Sequence, residues 1–247
     1  MTSIARHPTI RAISNFAHPG QRSVQEDHAF FDKDRKIFVM ADGFGGPGPG
    51  VEASRLACES VKNFLVKEAG DLEATLPFVL RSYYSLAGNV LFNSLIHANR
   101  QLNLRNKGKG VHERGGASVL AAFMDGDLLA VANVGGCGAW IFRGNALCEL
   151  FTPRTYSRLC DPSGQDMDPA RQVPLMACGI TSDLEPEIFE YRIKEGDLLI
   201  LQSDGVGPEV RDRIWELAKE GSGPESIETY LKTCQFDDNA SLLIVFF

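Results

Sequence analysis

Long apolar runs are missing from this chain. Nothing in its 247 residues reaches the roughly 18 consecutive apolar positions that a helical membrane span requires. Residues 1–11 carry two arginines but no apolar core between them, which argues against a cleaved secretory leader. There is no Cys-x-x-Cys pair. The six cysteines (Cys58, Cys137, Cys148, Cys160, Cys178 and Cys234) are widely spaced, several of them inside apolar runs, and read as reduced, mostly packed thiols rather than a disulfide or zinc framework. No block of Lys and Arg would lay a footprint on a phosphate backbone, and the net charge is −7, so nucleic acid is excluded as a partner. The glycines of residues 45–50 are not followed by Gly-Lys-Ser/Thr, which sets aside a nucleotide phosphate loop. Internal repeats, low-complexity tracts and linkers are absent as well. The expectation is a single domain over residues 1–247, monomeric, placed in the cytoplasm and off the membrane.

What the chain does have is a globular composition, with 44% hydrophobic and 23% charged residues, and enough length for one sizeable core. Ala53, Ala57, Val61, Phe64 and Leu65 recur at helical spacing. A second series, Val79, Tyr83, Leu86, Val90, Leu91, Leu95, Ala98 and Leu102, predicts a long amphipathic helix over residues 76–102 that runs into a Lys/Gly loop at 106–110. Short apolar runs at 117–123, 128–134, 139–142 and 147–151 predict strands, with Asp125-Gly126 as a tight hairpin turn. Residues 152–172 lose periodicity and gain Pro, Asp and Ser, the mark of a surface excursion. Strands at 188–193 and 198–201, helices at 210–219 and 226–234, and a last strand at 241–247 complete the series. Strands at both ends and in the middle, interrupted by helix pairs, predict a sheet-on-sheet core with helices outside it.

The chemistry concentrates where apolar strands meet carboxylates. Ile37-Phe38-Val39-Met40-Ala41 ends in Asp42-Gly43-Phe44-Gly45-Gly46, and Leu198-Leu199-Ile200-Leu201 ends in Gln202-Ser203-Asp204-Gly205. Asp237-Asp238-Asn239 leads into the last strand in mirror image, and Glu26-Asp27 offers a further carboxylate. Like charges gathered at one sheet edge force protonation or recruit cations. Asp42, Asp204, Asp238 and Glu26, with a close-approaching Gly43 carbonyl, form an all-oxygen set, which selects Mg²⁺ or Mn²⁺ over zinc. Two such ions can activate a water for in-line attack at phosphorus. Arg22, four residues before Glu26, has the guanidinium fork that suits a phosphate dianion.

The order of these segments resembles a known family. Arg22-Ser23-Val24-Gln25-Glu26-Asp27, Ala41-Asp42-Gly43-Phe44-Gly45-Gly46, Gly116-Ala117-Ser118, Ala132-Asn133-Val134-Gly135, Ser203-Asp204-Gly205-Val206 and Asp238-Asn239 are similar to the successive signatures of the metal-dependent serine/threonine protein phosphatases of type 2C, or PPM type. The likeness runs from about Arg11 to Phe247. It implies an α+β fold, a sandwich of two antiparallel β-sheets flanked by helices on both sides (αββα). It also implies hydrolysis of phosphoserine and phosphothreonine in proteins by a water activated at a dinuclear Mg²⁺ or Mn²⁺ centre. Asp42 would bridge two ions, Asp204 and Asp238 would bind the first, Glu26 and the Gly43 carbonyl would serve the second, and Arg22 would hold the substrate phosphate. The partners it implies are a phosphorylated protein substrate and a kinase or kinase target. Phe44 stands where many eukaryotic members have His and compact bacterial ones have Met. With the short 152–172 segment, that suggests the bacterial type.

Two departures from the family pattern bear on activity. Gly135-Gly136-Cys137-Gly138 replaces Gly-Asp-Ser-Arg, and Pro208 stands where the family usually has another Asp. In the family those carboxylates, with the one matching Asp204, hold a third and weaker metal, so that site is expected to be lost. The competing readings are a catalytically weak or inactive regulatory or binding protein of the same fold, and a hydrolase of small phosphorylated molecules. Of the other polar residues, His18 and His28 are read as satisfied histidines ahead of proton donors, Cys137 as packed, and Ser118 as a strand residue. Arg154, His112 and the basic loop 105–109 fit phosphoprotein contacts or a solvated face equally.

Overall fold

The computed structural model describes residues 7–68, 78–152, 154–161 and 173–247. Ten strands form two five-stranded antiparallel sheets. One holds β2 (Asp27–Asp32), β3 (Ile37–Phe44), β4 (Gly116–Asp125), β5 (Leu128–Val134) and β8 (Glu187–Arg192), in that order. The other runs β1 (Ala12–His18), β10 (Ala240–Phe246), β9 (Leu198–Gln202), β6 (Gly138–Arg143), β7 (Ala146–Glu149). Helices α1 (Pro49–Glu68) and α2 (Leu86–Asn106) cover the first sheet, and α4 (Pro208–Lys219) and α5 (Pro224–Leu231) cover the second, while the short α3 (Tyr156–Cys160) stands apart. This is the helix-flanked sandwich expected from the sequence.

Period-two alternation explains why the strands read as unbroken apolar runs, since both faces of each central strand are buried. Phe38, Met40, Leu120 and Ala122 meet Ala139, Ile141, Leu199, Leu201, Leu243 and Val245 between the sheets. Their neighbours Val39, Ala41, Val119 and Ala121 face the Ala53, Ala57, Val61 and Leu65 stripe of α1 and the Leu91, Leu95, Ala98 and Leu102 stripe of α2. On the far side, Ile200, Leu242 and Ile244 pack under Ile214, Ile227 and Leu231. Each fully buried Leu or Ile contributes about 1.5–3 kcal/mol, and the mixed origin of these layers ties chain segments distant in sequence.

Two expectations need correction. The long helix does not begin near 76: α2 starts at Leu86, and residues 69–77 lie outside the described residues. Ser85 caps it by accepting from the Gly88 N–H at 3.1 Å, and the Asn89 amide donates to the carbonyls of Arg81, Tyr84 and Ser85. Local side-chain bonding of this kind competes with another helical turn, so Val79 and Tyr83 are exposed instead of joining the apolar stripe. The 152–172 excursion carries the five-residue α3; residues 153 and 162–172 lie outside the described residues. Of the six thiols, all unbridged, Cys58, Cys137 and Cys178 are buried and Cys160 is exposed.

Candidate active site

Register places the carboxylates. In the first sheet Asp42 lies directly between Asp27 on β2 and Ser118 on β4. It does not end its strand, as the sequence led us to expect; β3 continues through Gly43 to Phe44. In the second sheet β9 ends at Gln202, opposite Leu242 of β10, so Asp204 just after β9 and Asp238 just before β10 emerge at the same edge. The cleft therefore lies between the matching edges of the two sheets.

Hydrogen bonds stitch those edges together. Ser203 Oγ donates to Asp27 Oδ2 at 2.8 Å and accepts from the Ser241 N–H at 2.9 Å. Asn239 does more: its Oδ1 accepts the Glu26 N–H at 2.7 Å, and its Nδ2 donates to the carbonyls of Pro19 and Val24 at 2.9 and 3.0 Å. One amide thus holds the β1–β2 loop, which carries Arg22 and Glu26, against the start of β10. Gly43 is required by close approach, because a Cβ there would strike the backbone carbonyl of Gly50. That contact lets the first turn of α1 sit against Glu26.

The clustered carboxylates perturb one another. Desolvation, then the charges of Asp204 and Asp27, raise the Asp42 carboxyl well above the usual range, and it is bonded to the Asp204 carboxyl. Asp204 keeps accessible surface along the cleft and is raised too, by desolvation first, while its bond with Asp42 and the Arg22 charge pull it back. Burial pushes Asp27 up to about 6 against the stabilising bonds from Ser203 and Ser241. Glu26 is raised by desolvation, opposed by Arg22. Such a set resists full ionisation without a compensating cation.

Among the described residues, no three His, Cys, Asp or Glu side chains stand as a ready-made metal site. Instead they are paired off: Asp42 with Asp204, and Asp238 Oδ2 with Arg22 Nη2 at 2.5 Å. The donor chemistry nonetheless fits a hard cation. The carboxylate oxygens converge without imidazole, and Glu26 Oε1 and Asp27 Oδ1 are buried with no hydrogen-bond partner, a costly state unless something else binds them.

Arg22, Glu26, Asp42, Asp204 and Asp238 are thus brought together by the fold, with the Gly43 backbone between Glu26 and α1. Asp27 is the functional candidate that sequence reasoning missed. From the Glu26-Asp27 pair only Glu26 entered the expected ligand set, whereas Asp27 enters the Asp42–Asp204 group and Glu26 reaches it from the α1 side. The signal was the doublet itself, placed opposite the Asp-Gly strand. His18 accepts the Gly20 N–H and stacks near Phe16 and Phe236, and His28 is exposed on β2. Cys137 is buried, as expected. Ser118 Oγ accepts the Gly136 N–H at 3.1 Å and so fixes the turn in which Gly135 takes φ +108°. At Gly136 a Cβ would point to within 3.7 Å of Asp204 Oδ2. Pro208 opens α4. Arg154 pairs with Glu187 and Arg105 with Glu52.

No family model matches the sequence. The serine/threonine phosphatase Stp of Listeria welshimeri is 24% identical over 229 residues, 87% of this chain and 86% of that protein. Among solved structures, the serine/threonine phosphatase Stp1 of Staphylococcus aureus superposes with a TM-score of 0.78 at 19% identity, covering 100% of this chain and 99% of that one. The catalytic domain of the phosphatase PstP, in complex with two manganese ions, gives 0.67 at 20% identity over 95% and 97% of the two chains. These likenesses show that the chain has the fold of the PPM-type, or type 2C, phosphatases, to whose motif order its sequence is similar. Among the described residues no helix is long and apolar enough to cross a membrane.

Proposed function

We propose that the chain hydrolyses phosphoserine and phosphothreonine in proteins, using two Mg²⁺ or Mn²⁺ ions held by Asp42, Asp204, Asp238, Glu26 and the Gly43 carbonyl. The observation that carries this reading is the mutually raised carboxylate group around Asp42, with unpaired oxygens on Glu26 and Asp27. Ions bound there supply a water of lowered pKa as the nucleophile.

The chain's own residues account for the remainder. Arg22 is exposed at the cleft mouth, and its bond to Asp238 leaves the other guanidinium donors free for a phosphate dianion. Ser203, Ser241 and Asn239 hold Asp27 and the Glu26 backbone, so the ligands are oriented before substrate arrives. His18 accepts the Gly20 N–H and packs beside Phe16 and Phe236, and His28 is exposed on β2, so leaving-group protonation is assigned to solvent.

Gly136 and Pro208 favour loss of a third ion and a lower turnover. The Gly136 position points at Asp204, where a carboxylate would have joined it, and Asp204 alone is too small a donor set for a hard cation of about six ligands. The same two residues motivate the second reading, a binding protein of this fold that turns over slowly or not at all. Release of phosphate from a phosphothreonine peptide, measured with Mn²⁺ and with EDTA, decides between them. Metal-dependent turnover supports the enzyme, and metal binding without turnover supports the second reading. Turnover undiminished in EDTA overturns the site. The kinase partner, the monomeric state and a cytoplasmic location belong to the same proposal.

A further inference from the structure

A groove of about 700 Å³ follows the C-terminal half of α2, lined by Arg100, Asn103, Leu104, Lys107, Arg114 and Ile180 among others. Among the described residues no Asp or Glu lines it, although the chain as a whole carries a net charge of −7. Its apolar members Leu104 and Ile180 are exposed. Nearby cations are already committed: Arg105 pairs with Glu52, and Arg114 Nε donates to the Lys109 carbonyl at 3.0 Å. Arg100 and Lys107 are different, being exposed and making no ion pair among the described residues.

The groove is built rather than incidental. Asn99 Oδ1 accepts the Gly179 N–H at 2.8 Å and its Nδ2 donates to the Thr181 carbonyl at 2.9 Å. Asn106 Nδ2 donates to the carbonyls of Gly115 and Gly179 at 2.7 and 2.9 Å. Three buried or half-buried asparagines on one helix face (99, 103 and 106) thereby hold the segment that presents Ile180. The groove also adjoins the cleft. Phe44 and Ile180 meet over Gly116, where a Cβ would lie 2.6 and 2.7 Å from them. Phe44 is two residues along β3 from Asp42, roughly 7 Å of extended chain.

We propose that this groove seats an acidic stretch of the phosphoprotein substrate a few residues from the phosphorylated side chain, its carboxylates against Arg100 and Lys107 and an apolar side chain against Leu104 and Ile180. The inference rests on the phosphatase reading above. Charge complementarity selects the occupant. The carboxylate-rich cleft repels acidic sequence, whereas the neighbouring groove offers Arg100 and Lys107 with no Asp or Glu among its described lining residues, and is near enough for one extended peptide to span both.

The test compares wild type with the Arg100→Glu/Lys107→Glu double variant. Both residues are exposed and unpaired, so the fold is undisturbed. Three probes serve: a phosphothreonine peptide flanked by glutamates and a leucine, the same peptide with the glutamates replaced by glutamine, and an aryl phosphate. The double variant should lower kcat/KM for the acidic peptide by about tenfold, through KM, because reversing two exposed charges replaces two weak attractions by repulsions. The neutral peptide and the aryl phosphate should be unchanged. Equal loss on all three probes, or no loss on the acidic one, overturns the proposal. If wild type hydrolyses none of them, the phosphatase reading fails, and anisotropy of a labelled acidic peptide still decides the groove: Kd about tenfold weaker in the double variant supports it, equal Kd overturns it. Displacement of that peptide by a single-stranded oligonucleotide as readily as by unlabelled peptide overturns the choice of a protein segment.

Discussion

Replacing Asp42 by Asn should destroy turnover while making the protein more stable in chelator. Asp42 sits among Asp27, Asp204 and Asp238, and its carboxyl is raised by desolvation and by those charges. A raised folded-state pKa means that the native protein holds a proton the unfolded chain has given up. Stability is then fully present below the unfolded pKa and falls as pH rises through the folded one. Asp27 gives the scale: 3.8 raised to about 6 is a difference of about two pH units, or about 3 kcal/mol above pH 6. Asp42 shares these neighbours, and the Asn amide keeps a donor for Asp204. The substitution should therefore raise stability near pH 7.5 and change it little near pH 4, read as a higher Tm at the upper pH only. Thermal unfolding of both proteins in EDTA across that pH range is the assay. Added Mn²⁺ should reverse the ranking, because only the wild type keeps the carboxylate proposed to bridge the two ions. A variant no more stable than wild type near neutral pH, or one whose gain is independent of pH, would refute the reasoning.

Arg22→Ala should raise KM by about tenfold with kcat little changed, since a charged hydrogen bond to phosphate is lost and the nucleophile is untouched; an unchanged KM in steady-state assays would make Arg22 a surface residue. Gly136→Asp combined with Pro208→Asp should increase the number of Mn²⁺ ions bound, read by calorimetric titration, and raise turnover, because the new carboxylate at 136 would lie beside Asp204; unchanged stoichiometry counts against a lost third site. Ser203→Ala removes a donor from Asp27 and should cost about 1–2 kcal/mol above pH 6 and less below it, by denaturant melts at two pH values. Gly43→Ala should lower stability and activity together, since its methyl would collide with the Gly50 backbone; full activity would show that the α1 turn is not fixed by this contact.

Much of this architecture was legible because the central strands are buried on both faces and so appear as unbroken apolar runs closed by Asp-Gly. The strands around Asp42 and Asp204 announced themselves for that reason, and family order then paired them with Glu26, Asp238 and Arg22. The start of α2 was not legible. Val79 and Tyr83 continue its apolar rhythm, and what stops the helix is the bonding of Ser85 and Asn89, which periodicity does not register. Asp27 escaped for a different reason. Adjacent residues in a strand point to opposite faces, which would turn one of the pair away from the site, but Glu26 lies just before β2 begins and that alternation does not bind it. The tie made by Asn239 depends on carbonyls more than two hundred positions away in sequence, beyond the reach of any local pattern.

That tie has a consequence for how the protein comes into being. Chains emerge from the ribosome N-terminus first, and β1, Arg22 and Glu26 are made long before their partners. Among the described residues β1 is an edge strand paired with β10, and the Asn239 amide that orders the Glu26 backbone comes with β10. A nascent chain, or a fragment, that stops before Asp238 lacks β10 and the Asn239 tie. On the proposed assignment such a product would lack Asp238 and the Asn239 hold on the loop that carries Arg22 and Glu26, and should be inactive.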